Sequence, residues 1–126
     1  MSIFEVGNTN TWGEGLAIEN ATAISGIKVM NNIISQCKSA QMTITNPELS
    51  NYLVTNNLIY GLNTFNGNSP IMGDPLFVNA GIYNFHITGS SPAVNAGSAL
   101  LFPGFDMDGQ TRPNGSAVDV GADEYY

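Results

Sequence analysis

Apolar residues recur along the chain in short bursts with a period of two. Leu16 and Ile18, Ile27 and Val29, Met42 and Ile44, and Tyr52 and Val54 each stand two positions apart. That is the spacing at which side chains of a strand share a face. The bursts are rich in β-branched residues and stop at Asn, Gly, Ser or Pro, which favour turns. No window of eleven or more residues keeps a helical apolar period. The pattern predicts short strands joined by turns, with further strands over 76–78, 83–88, 93–95 and 118–120.

The bursts also repeat. IKVMNNIIS (27–35) matches YLVTNNLIY (52–60) at a spacing of 25, which sets Val29 on Val54, Asn31 on Asn56 and Ile33 on Leu58. LAIEN (16–20) matches MTITN (42–46) at 26, which sets Ile18 on Ile44 and Asn20 on Asn46. AVNAG (93–97) matches AVDVG (117–121) at 24. Strand-turn-strand units of about this length stack in solenoids, with equivalent residues one above another. The expectation is therefore an all-β, short right-handed parallel β-helix of about five coils with a C-terminal cap. It forms one domain over 1–126, with repeating coils over 12–61 and terminal coils and cap over 62–126. Inward aliphatics form rows in this scheme. The structural residues are Asn20, Asn31, Asn46 and Asn56, stacked as amide ladders at turns, and Arg112 in the 98–116 loop.

Composition narrows the function. Charged residues are 10% of the 126, and the surface polarity comes largely from sixteen Asn and fourteen Gly. The net charge is −7, with Lys28, Lys38 and Arg112 the whole basic complement. Three scattered cations make no phosphate-binding patch, so nucleic acid and anionic membrane surfaces are not expected partners. Acidic polysaccharides are repelled unless a cation bridges them. Cys37 stands alone and forms no internal disulfide. Met1 to Gly7 lacks the basic and apolar regions of a secretory leader. The chain is thus expected to be cytoplasmic, or a segment of a longer exported protein.

The run GDPLFVNAGIYNFHITGSSPAVNAGSA, followed by DMDGQTRP and VDVGADEY, resembles the C-terminal end of right-handed parallel β-helix proteins of the pectate-lyase-like kind. More narrowly, it resembles the choice-of-anchor Q type region. The matching positions are 73–77, 85–87, 91–97, 106–113 and 118–125, with Asn95 where Asp is usual. The resemblance implies extracellular bacterial proteins, often carbohydrate-associated, some of them polysaccharide lyases. Their catalytic groups usually lie on central coils, whereas this chain would hold the last few.

Against that background the chemistry-bearing residues are few. Asp106 and Asp108, two apart in DMDG, offer oxygen ligands on a Gly turn, as a calcium site would. Equally, they can cap that turn by accepting backbone N–H bonds, one of them holding Arg112. Asp119, Asp123 and Glu124 join if the C-terminal run folds back. His86, the sole histidine, points outward by alternation, toward the loop. Trp12, Tyr52 and Tyr60 are candidates to stack on sugar rings, with Lys28 beside them. The same aromatics can equally cover strand edges. The leading expectation is a non-catalytic β-helix module of a carbohydrate-associated bacterial protein, structural or weakly glycan-binding. One alternative is a calcium-assisted, lyase-like enzyme or its remnant. The other is a small stand-alone protein that self-assembles through its open end, a homo-oligomer if the chain is complete.

Overall fold

The computed structural model describes residues 1–5, 13–19, 25–45, 52–62 and 65–126. Among these residues ten short strands follow in order: β1 (Ser2–Phe4), β2 (Glu14–Ile18), β3 (Lys28–Met30), β4 (Ile33–Ser35), β5 (Ala40–Ile44), β6 (Leu53–Thr55), β7 (Leu58–Tyr60), β8 (Ile71–Met72), β9 (Phe77–Asn79) and β10 (Asn84–Ile87). A single 3-10 turn, Ala80–Ile82, separates the last two. No described residue lies in an α-helix. Among the described residues no helix is long and apolar enough to cross a membrane.

The repeats seen in the N-terminal half are paired in register. Val29 lies opposite Val54 in the parallel pair β3–β6. Leu16 lies opposite Met42, and Ile18 opposite Ile44, in β2–β5. Ile33 lies opposite Leu58 in β4–β7. Two corners separate β3 from β4 and β6 from β7. At each an Asn adopts left-handed backbone, Asn31 at φ 56° and Asn56 at φ 52°. Asn tolerates this conformation better than most side chains.

The all-β class stands, but the right-handed parallel β-helix with its cap does not. The strands form several small separate sheets: one parallel sheet of four in the order β1-β4-β7-β8, and three of two strands. The pair β9–β10 is antiparallel. Beyond Ile87 the chain runs in turns and loops, without the strands expected over 93–95 and 118–120. The 93–97 and 117–121 segments do meet, but not like on like. Val120 N–H donates to Ala93 and Gly97 N–H to Val118, so the two runs oppose each other. Tight turn bonds from Val94 to Ser91 and from Ala96 to Ala93 hold the first run out of extended geometry.

The reason lies in β4 and β7, the central strands of the four-stranded sheet, whose aliphatics are buried on both faces. Ile34 and Ile59 join Val29, Val54, Met42 and Ile44 in one apolar cluster. Ile33 and Leu58 point the other way, into a second cluster with Ile87, Ala93 and Val120. The C-terminal half therefore folds over the outer face of the sheet instead of continuing the stack. Adjacent aliphatics such as Ile33-Ile34 and Leu58-Ile59 are what a doubly covered parallel strand requires. Each such side chain, fully buried, contributes roughly 1.5–3 kcal/mol of apolar transfer. All four are at most 1% exposed.

The amide ladder is displaced by one residue from the expected pairs. Asn32 Nδ2 donates to Asn57 Oδ1 at 2.9 Å, and Asn57 Nδ2 donates to the Val29 carbonyl. Asn31 and Asn56 instead reach the C-terminal half: Asn31 Nδ2 donates to the Ser98 carbonyl at 2.9 Å, and Asn56 Nδ2 to that of Ala96 at 3.1 Å. Asn20 and Asn46 lie outside the described residues.

Candidate functional site

The C-terminal motifs build a polar knot. Arg112 is 6% exposed and Glu124 1%. Arg112 Nε donates to Glu124 Oε2 at 2.9 Å, Nη1 to the Gly121 carbonyl and Nη2 to that of Asp119. The other oxygen of Glu124 accepts the Asn114 N–H at 2.7 Å. Asp119 accepts the N–H groups of Asn95 at 2.6 Å and Tyr125 at 2.7 Å. Buried charge persists when paired and hydrogen-bonded, as Arg112 and Glu124 are, while Asp119 is held by hydrogen bonds alone. Burial raises the Asp119 carboxyl above its ordinary 3.8, against the pull of those two N–H donors. Arg112 is thus held by Glu124 and not by the DMDG aspartates.

Asp106 and Asp108 serve different partners. Asp106 Oδ1 accepts the N–H groups of Asp108 and Gln110, and Oδ2 accepts that of Glu124. Its carboxylate closes the turn. Asp108 Oδ2 instead lies 2.6 Å from His86 Nε2. The two carboxylates thus face different partners, backbone N–H groups for Asp106 and the His86 imidazole for Asp108.

His86 gathers a different set. Its Nδ1 lies 2.6 Å from Asn84 Oδ1, two residues back on β10. Asp123 stands nearby, 4% exposed, with Oδ2 accepting the Ile87 N–H at 2.8 Å. One ligand atom each from His86, Asp108 and Asp123 lie within 4.8 Å of one another. The Asp108 hydrogen bond raises the imidazole above its usual 6.5, burial opposes that, and the charge of Asp123 adds to it. Burial raises Asp123 above 3.8, while the Ile87 N–H and His86 pull it down. Alternation correctly turned His86 toward the loop. Asn84 carried a readable signal, an i, i+2 pair on one strand face, that sequence reasoning missed.

The second feature is a groove of about 680 Å³ beside β3. Lys28, Met30 and Asn32 line it together with Phe102, Phe105, Asp106 and Met107. Met1 and Ala122 line it as well. Phe105 is 63% exposed and Lys28 is also exposed. Of the three glycan candidates among the described residues, Lys28 alone lines this groove. Tyr52 packs on the first apolar cluster and Tyr60 on the second. Trp12 lies outside the described residues. The aromatic residues that line the groove with Lys28 are Phe102 and Phe105, in a loop whose sequence has no periodicity to mark it.

Comparison of the chain with protein-family models, with curated proteins and with solved structures finds no match.

Proposed function

We propose that the chain is a non-catalytic module of a carbohydrate-associated protein, and that its glycan contact is the groove beside β3. The observation that carries this reading is that two phenylalanines, an exposed lysine and an asparagine line one open cleft. Sugar rings present an apolar C–H face that packs on aromatic side chains, and a rim of hydroxyls that hydrogen-bonds to amide and ammonium groups. A net charge of −7 favours a neutral oligosaccharide over a uronate chain.

The test is an NMR titration of the whole chain with cellotetraose, and in parallel with trigalacturonate. Saturable shifts at Met30, Phe102 and Phe105 with the neutral sugar are expected. Phe105→Ala and Lys28→Ala should each weaken the interaction at least several-fold. Unmoved signals at millimolar sugar, or equal binding by both variants, remove the reading. Release of unsaturated uronate from trigalacturonate would replace it with the lyase-like alternative.

A further inference from the structure

We propose that His86, Asp108 and Asp123 bind one transition-metal dication of the zinc class. The site joins three separate stretches: β10, the DMDG turn and the C-terminal run. One imidazole nitrogen and two carboxylate oxygens suit a borderline ion, whereas calcium takes six or more oxygens. The proposal is independent of the groove reading.

Four features of the geometry support it. First, the donor atoms already converge within 4.8 Å. Zinc ligands at about 2.0–2.1 Å from the ion stand about 3.3 Å apart in a tetrahedron. The 2.6 Å between His86 Nε2 and Asp108 Oδ2 must open slightly, and Asp108 sits on an exposed turn that can give. Second, Asn84 Oδ1 accepts from Nδ1–H and so directs the remaining nitrogen, Nε2, at the carboxylates. A metal-bound histidine characteristically makes this bond from its distal nitrogen. With Nδ1–H so engaged, Nε2 faces a carboxylate oxygen across a gap that only a proton or a metal ion can fill favourably. Third, Asp123 is held in place by the Ile87 N–H, which pre-positions its carboxylate. Fourth, the side chains of His86 and Asp108 are 43% and 45% exposed, which leaves solvent access for a water as fourth ligand.

The experiment uses the full chain, stripped with chelator and titrated calorimetrically with zinc chloride. One zinc per chain is expected, with a rise in melting temperature that calcium chloride does not reproduce. His86→Ala and Asp108→Asn should each lower zinc affinity at least ten-fold. Asn84→Ala, which removes only the orienting bond, should lower it by about 10–100-fold. Asp108→Asn lies on an exposed turn and keeps the test open should His86→Ala fail to fold. Absence of saturable zinc binding at millimolar concentration overturns the proposal. So does zinc binding unchanged in both His86→Ala and Asp108→Asn, or calcium binding as tight as zinc binding.

Discussion

At the scale of single residues, the polar side chains of the C-terminal run act mainly by satisfying backbone groups. Asp119 shows how. Its carboxylate accepts two N–H bonds yet is almost wholly withdrawn from water, and withdrawal prevails. A carboxyl whose pKa is higher folded than unfolded binds its proton more readily in the folded state. Its contribution to stability therefore grows as pH falls through the raised value toward the ordinary 3.8, and is lost above the raised value. A carbon-detected NMR titration should place the Asp119 midpoint above 3.8; a midpoint at or below it would contradict the desolvation argument. Asp106 was legible as a turn-closing group because Asx turns are local, whereas Asp108 faces His86, 22 positions away. Arg112's partner was not legible, since Glu124 stands twelve positions on and only the folded chain brings it close.

At the scale of elements, the centre of the four-stranded sheet, β4 and β7, is covered on both faces, and this is testable. Ile34→Ala and Ile33→Ala empty opposite faces of β4. Each should cost about 2–5 kcal/mol in urea unfolding, the range for a large-to-small change in a packed core. If Ile33→Ala were nearly neutral, the C-terminal half could not be packed on the outer face. Strand positions and registers in the N-terminal half were readable from the sequence, because Val29 on Val54 and Ile18 on Ile44 are local in type and regular in spacing. The architecture was not readable. A stack of coils and a sheet covered from behind share the same alternation up to Tyr60, and the adjacent pair Ile33-Ile34 was the residue-level sign that both faces would be buried. The AV-x-x-G similarity then suggested a further stacked pair where the chain in fact makes opposing turns.

At the scale of the whole molecule, the two halves hold each other. Asn31 reaches 67 positions forward to Ser98, and the Ser2 hydroxyl accepts the Ala122 N–H across 120 positions. Native-state hydrogen exchange should therefore report one opening free energy for the Leu58 amide, bonded to Asn32, and the Val120 amide, bonded to Ala93. Markedly cheaper exchange at Val120 would mean that the C-terminal half opens by itself.

The cleft beside β3 takes part of its lining from Met1 and part from Ala122. A chain emerging from the ribosome cannot complete that lining until translation has passed Ala122, so a product truncated before it would present an altered cleft.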